Sequence, residues 1–298
     1  MDSAAVAALI CPVCADEFVQ PAPEGTALVC AAGHSFDRAR QGYVNLLSGS
    51  GTHFLPDTAD MVAARDAFLG AGHYDVLAAE LAQTVLDGLA PEPAGREPLV
   101  VDAGTGTGHY LHGLHRAAAE RAIPLHSVGL DISKFALRRA ARANPGTANL
   151  VWDLWKPLPL AAGCADAVVV VFAPRNAAEF ARVLRPGGRV VVVTPAPGHL
   201  AEIAAATGML GVQPDKEEAL TAALSGWFAP EGTRTVGYTL GLARAEVAAV
   251  ALMGPAGHHL DAAELQARVA GLPETSNVTA AFRISEFRLL PRQEWAPA

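Results

Sequence analysis

Residues 99–108 read Leu-Val-Val-Asp-Ala-Gly-Thr-Gly-Thr-Gly, and a second acid closes Gly129-Leu130-Asp131. No other stretch constrains the fold as much. An apolar strand ends in Asp102, and three alternating glycines (Gly104, Gly106, Gly108) make a turn that residues without a Cβ follow most closely. A helix is expected to start after it. The turn lets backbone approach a bound nucleoside, and Asp131 stands where a carboxylate can hold ribose hydroxyls.

The pattern has a third member. Asp153 closes the next apolar segment, and Leu158-Pro159 follows as a loop able to cover an adenine. Dinucleotide sites use their glycines to seat a pyrophosphate at a helix N-terminus and need no acid at three successive strand ends. Asp102, Asp131 and Asp153 therefore point to S-adenosylmethionine, with Asp102 directed at its amino-acid end. Ile132 and Leu154, next to two of these acids, are assigned to the same pocket.

Around the motif the chain alternates. Strands are expected at 99–103, 125–130, 149–153, 167–172 and 189–194, with helices near 108–120, 133–143 and 176–184. Unbroken Val runs fit strands buried on both faces, hence a parallel sheet with helices on each side. Arg185-Pro186-Gly187-Gly188 reads as a turn. The C-terminal part differs, with strands at 234–242 and 278–290 around helices 243–253 and 261–271. Upstream, Asp57 or Thr58 can cap a helix carrying Met61, Val62, Phe68 and Leu69, and a second helix spans 74–89. Residues 48–57 read as a linker and the Pro-rich 91–98 as a loop. The fold class is α/β, with three parts expected: 1–47, 48–90 and 91–298.

Composition narrows the setting. Half of the 298 residues (51%) are apolar, enough for a large core. No apolar run approaches the roughly 18 residues that a bilayer span needs. No basic leader is visible at the N-terminus, so a cytoplasmic protein without membrane partners is expected. The net charge of −8 is uneven: the first 90 residues hold three basic side chains against eleven acids, and the rest balances. That balance advertises no nucleic-acid-binding face.

Three of the four cysteines lie near the N-terminus. Cys11-Pro-Val-Cys14 forms a knuckle, and Cys30 with His34 supplies a second pair. Three thiolates and one imidazole suit tetrahedral zinc with no position open for water, so the site reads as structural. Its binding energy would help fold a segment too small to fold alone. A redox CxxC pair would sit between a strand and a helix, a context that Pro12 does not supply. Cys164 reads as an ordinary thiol.

Together these residues resemble the RlmA/TlrB family of 23S rRNA guanine-N1 methyltransferases. The resemblance runs nearly end to end. It includes the four zinc ligands, Gly42-Tyr43-Val44-Asn45-Leu46-Leu47, Asp60-Met61-Val62-Ala63-Ala64-Arg65, Gly72-His73-Tyr74, Phe172-Ala173-Pro174-Arg175-Asn176 and His199-Leu200. It implies a class I, Rossmann-like methyltransferase fold with a mixed seven-stranded sheet and a small N-terminal zinc-binding module. It implies cofactor contacts from Tyr74, from the Gly106-Thr107-Gly108-His109 turn and from His199. Its implied substrate is a guanine in a 23S rRNA hairpin near the macrolide site, and a homodimer is an expectation.

Guanine N1 carries a proton near neutrality, so methylation there requires that proton to leave as the bond forms. A paired N1 is inaccessible, so the base is expected to flip out. Its place would be the strand end at Phe172, Ala173, Pro174 and Arg175, where Phe172 can stack and backbone carbonyls can accept hydrogen bonds. No general base is evident. The chain departs from the family in a linker without Lys or Arg, in Val170 and in lacking a Trp after Met253-Gly254-Pro255. A small-molecule acceptor on the same scaffold is the other reading. It would need a closed apolar pocket near Val170 and Phe172. An RNA-binding surface would be assembled from Arg38, Arg40, Arg65, Arg138, Arg139 and Arg142.

Overall fold

The computed structural model describes residues 1–19, 25–49, 51–89, 96–209 and 216–295. The chain opens with α1 (Ser3–Ala7), whose N-terminus is capped by the Asp2 side chain. A small antiparallel sheet follows: β1 (Phe18–Val19), β2 (Ala27–Cys30) and β3 (Ser35–Asp37). After β4 (Val44–Asn45) come α2 (Ala59–Gly70) and α3 (Asp75–Asp87). The Thr58 hydroxyl caps α2 by accepting from the Met61 N–H at 3.3 Å.

The central alternation is β5 (Leu99–Ala103), α4 (His109–Glu120), β6 (His126–Asp131), α5 (Lys134–Ala143), β7 (Ala148–Val151), β8 (Ala165–Val171), α6 (Ala177–Val183) and β9 (Leu184–Pro195). The C-terminal part holds α7 (Ala201–Thr207), α8 (Lys216–Leu224), β10 (Phe228–Ala243), α9 (Arg244–Leu252), α10 (Ala262–Ala270) and β11 (Thr275–Leu289).

Eight strands form the main sheet, in the order β10-β11-β9-β8-β5-β6-β7-β4. It is mixed: β9, β8, β5, β6 and β7 run parallel, and β11 lies antiparallel between β9 and β10. The expected count was seven. The eighth strand is β4, whose Val44 and Asn45 pair in parallel with Leu150 and Val151. Every residue of β5, β7 and β8 is buried, as continuous apolar runs require.

Two further differences are local. Arg185–Gly188, expected as a turn before the strand, bulges within β9, because Ala165 pairs with Leu184 and Ala167 with Arg189. The last two strands are longer than expected, with pairing continuous from Phe228↔Leu289 to Ala243↔Thr275 apart from one shift at Pro230. Of the Pro-rich loop at 91–98, residues 91–95 lie outside the described residues.

The core has two large layers. On one face of the sheet, α2, α3, α4, α7, α9 and α10 pack against Val100, Val169 and Val191. On the other, Val101, Val168 and Phe180 share one cluster with Leu9, Cys11, Phe18, Leu28 and Cys30. The N-terminal module thus has no separate core. Strand order reverses between β5 and β8, which opens a crevice at the C-terminal strand ends, where open α/β sheets bind ligands.

Candidate functional site

The four expected metal ligands converge. Cys11 Sγ and Cys30 Sγ stand 3.7 and 3.4 Å from His34 Nδ1, and Cys14 Sγ is 3.6 Å from Cys30 Sγ. All four ligand atoms lie within 4.8 Å of one another. Tetrahedral zinc with ordinary Zn–S and Zn–N bonds spaces such atoms about 3.5–3.8 Å apart, so the donor set fits the ion. The backbone N–H groups of Val13 and His34 point at Cys11 Sγ and Cys30 Sγ, at 3.5 and 3.3 Å, and orient the thiolates. Zinc here would tie the two knuckles together. Cys164 lies elsewhere, its thiol pushed up to about 11 by burial.

The glycine turn is fixed from two sides. The N–H groups of Gly104 and Thr105 both donate to Leu130 O, at 2.8 and 2.9 Å. Gly106 N–H donates to Asp131 Oδ2 at 2.9 Å, and Ser133 N–H to Asp131 Oδ1 at 2.7 Å. Those two bonds set the carboxylate plane and leave further lone pairs for ribose hydroxyls. Gly104 is forced by packing: its φ is +89°, and a Cβ there would overlap the Ala173 methyl at the end of β8. Gly108 also serves packing, since a Cβ would stand 2.9 Å from Ala140 Cα on α5.

A cavity of about 800 Å³ opens over this turn. That is within the roughly 300–1,000 Å³ usual for small-molecule and cofactor sites. Gly104, Thr105, Gly106, Thr107, His109, Asp131, Ile132, Asp153, Leu154, Tyr74 and His199 all line it, as do Phe172, Ala173, Pro174 and Arg175. Gly108 and Asp102 do not. Asp102 is buried behind the turn, its carboxyl raised to about 7 by burial and secondarily by the charge of Asp131. Two buried polar atoms in the wall, Thr105 Oγ1 near the Asp102 carboxyl and His109 Nε2, 3.7 Å from Asp75 Oδ1, complete no hydrogen bond among the described residues. The oriented Asp131 carboxylate, with the buried Thr105 hydroxyl and His109 ring nitrogen around a glycine turn, fits the ribose and amino-acid ends of S-adenosylmethionine.

Tyr74 and His199 form one wall. The Ala281 N–H donates to His199 Nδ1 at 3.2 Å, so the neutral ring carries its proton on Nε2. That proton points at Tyr74 Oη, 3.3 Å away. Burial lowers the His199 pKa to about 4, which keeps it neutral. Phe282 packs across both rings, at 4.9 Å from Tyr74 and 4.7 Å from His199.

Asp153 has a second task. Its Oδ2 accepts from Thr52 Oγ1 at 2.8 Å, and Lys156 Nζ donates to Gly51 O at 2.6 Å. The linker is thereby anchored at the cavity, and its Phe54 and Leu55 line the mouth. These two residues, Trp155 and Phe172 are all exposed. Phe172 has a left-handed φ of +53°, a strained backbone at the strand end expected to meet the acceptor.

Several lining residues escaped sequence reasoning. Arg65 bonds Asp57 Oδ2 at 2.5 Å and Met253 O at 2.6 Å, joining α2, the linker and the α9 C-terminus over the turn. It was expected on a cationic surface and not in this cavity, since its partners are distant in sequence. Val170, expected near the acceptor, is fully buried and absent from the lining, because alternation along β8 turns Val171 and not Val170 to the cavity.

A zinc ribbon fused to this glycine-turn sheet defines a methyltransferase that uses S-adenosylmethionine. Comparison with known proteins agrees. The family model "RlmA, N-terminal", a zinc ribbon, matches residues 9–49, and a methyltransferase-domain model matches 100–188. A Micromonospora griseorubida protein named "Putative 23S rRNA (guanine-N(1)-)-methyltransferase" is 47% identical over 94% of this chain and 97% of its own. A Streptomyces fradiae 23S rRNA (guanine(748)-N1)-methyltransferase is 43% identical over 95% of this chain and 97% of its own. The chain belongs to the RlmA/TlrB family of 23S rRNA guanine-N1 methyltransferases.

Proposed function

We propose that this chain methylates N1 of a guanine in a 23S rRNA hairpin. The observation that carries this reading is the near-full-length identity to two proteins named for that reaction, spanning both the ribbon and the sheet. S-adenosylmethionine supplies the methyl group on a sulfonium. In this reading Asp131 holds its ribose, Tyr74, Thr105 and His109 face its amino-acid end, and Ile132 with Leu154 flanks its adenine. The target guanine enters beside Phe172, Ala173, Pro174 and Arg175, flipped from its helix. The exposed rings of Phe54, Trp155 and Phe172 offer stacking surfaces to unpaired bases, which bind aromatics with little regard to sequence.

Part of the expected cationic surface supports phosphate contact. Arg65 and Arg139 are held by Asp57 and Asp66. Arg38, Arg40, Arg138 and Arg142 are exposed and form no ion pair among the described residues. A Cβ on Gly42 would stand 3.6 Å from Arg38 Nη2 and 3.7 Å from Ala141 Cβ, so Arg38 lies beside α5, which bears Arg138 and Arg142.

The test is transfer of labelled methyl from S-adenosylmethionine to an unmodified 23S hairpin at low salt. Incorporation that disappears when the target guanosine is replaced by adenosine supports the reading. Absence of transfer to RNA, with transfer to a small apolar acceptor, would replace it.

A further inference from the structure

The charges around the cavity are paired, with one exception. Arg65 binds Asp57 and Met253 O, His258 faces Asp57, His109 faces Asp75, and His199 is held by Tyr74 and Ala281. The acids are engaged too: Asp131 by two backbone N–H groups, Asp153 by Thr52 and the Trp155 N–H. Arg175 lines the same cavity and is half-buried, yet it makes no hydrogen bond, ion pair or ring contact with any described residue. A guanidinium held partly out of water without a counter-charge is unfavourable unless a ligand provides an acceptor.

Its position says where that acceptor would be. Ala173, two residues earlier, fills the space a Cβ on Gly104 would need, so the 172–175 segment presses against the cofactor turn. Phe172 follows β8 directly, with its ring exposed beside Phe282, at 5.9 Å. Arg175 therefore sits at the acceptor side of the methyl donor's place.

We propose that Arg175 grips the O6/N7 edge of the target guanine and holds the charge that gathers on O6 as N1 loses its proton. This rests on the guanine-N1 reading above. The N1–CH₃ bond forms from the N1 electron pair, and the methyl–sulfur bond breaks with its pair left on sulfur. The N1 proton passes to a cavity water. While it leaves, negative charge spreads from N1 to O6. The reacting N1 must face the donor, which leaves O6 and N7 open on the opposite side to a planar fork of N–H donors. Adenine presents an amino group in place of O6, so the same fork rejects it. Arg175 is thus both an electrostatic catalyst and the base reader.

The experiment uses the full chain with hairpins carrying guanosine or 7-deazaguanosine at the target, for the wild type, R175Q and R175K. Loss of N7 should lower wild-type kcat/KM about tenfold, the worth of one good base contact, and leave R175Q nearly indifferent, a coupling that only direct contact produces. R175Q should also lower kcat and shift the rise of rate with pH to higher pH. R175K, which keeps the charge without the planar fork, should recover part of kcat. Unchanged S-adenosylmethionine affinity by calorimetry certifies that the variants are folded. Equal losses for R175Q on both hairpins, or an unshifted pH profile, overturn the proposal. So does a loss confined to KM that fades with salt, which marks a phosphate contact. A wild type inactive on the guanosine hairpin fails the acceptor assignment, and this proposal with it. An active wild type with an unimpaired R175Q fails this proposal alone.

Discussion

Single side chains here do work that their position in a motif only hints at. Asp102 is the clearest case. Its carboxyl is raised from 3.8 to about 7, chiefly by burial. A raised carboxyl holds its proton in the folded state after the unfolded chain has lost it. Stability therefore falls as pH climbs from about 4 to about 7 and is level above. Asp102→Asn should flatten that decline and raise stability at pH 8 by a few kcal/mol (~3–4 at most), as read by urea unfolding at pH 5 and pH 8. Tyr74→Phe strips His199 Nε2 of its partner, and an unmet buried donor costs about 1–3 kcal/mol. Calorimetry should show weaker S-adenosylmethionine binding with no new pH dependence between pH 5 and 8, since His199 titrates near 4. Gly104→Ala drives a methyl into Ala173 and should cost about 1–3 kcal/mol of stability together with most activity.

Among the elements, the zinc ribbon is bound to the sheet by more than a linker. Leu9 bridges to Leu160, Ile10 N–H donates to Pro159 O at 3.1 Å, and Cys11 and Cys30 are buried in the same cluster as Val101 and Val168. Removing the metal should therefore lower the melting temperature of the whole chain in one transition. A ribbon melting alone, with the sheet unmoved, would contradict the packing. The sequence showed the α/β alternation and all four ligands, because apolar runs, glycine turns and CxxC spacing are local signals. It did not show β4, since Val44-Asn45 is too short to carry a period and its pairing with β7 is decided by tertiary contact. Nor did it show that Arg65 and Phe54 reach one cavity with Arg175, or that Gly108 packs against α5 and does not line that cavity. Those facts depend on which distant elements meet.

At the scale of the molecule, an acidic chain is assigned an RNA substrate. Ion pairs cancel in the net charge of −8, so it says nothing of where the unpaired cations lie. Arg38 beside α5 and Arg142 on it form no ion pair among the described residues, Arg138 lies over the Phe135 ring, and exposed apolar side chains line the mouth. Affinity for the hairpin should then show a shallow salt slope, and R138A with R142A should reduce it by about 1–2, measured by fluorescence anisotropy from 50 to 200 mM salt. The most direct test of the whole account is to map the product. Methyl on N1 blocks Watson–Crick pairing, so reverse transcription of a treated 23S hairpin should stop at one guanosine, and digestion should release N1-methylguanosine. Full-length read-through, or a methyl group recovered on any other atom, would contradict the account.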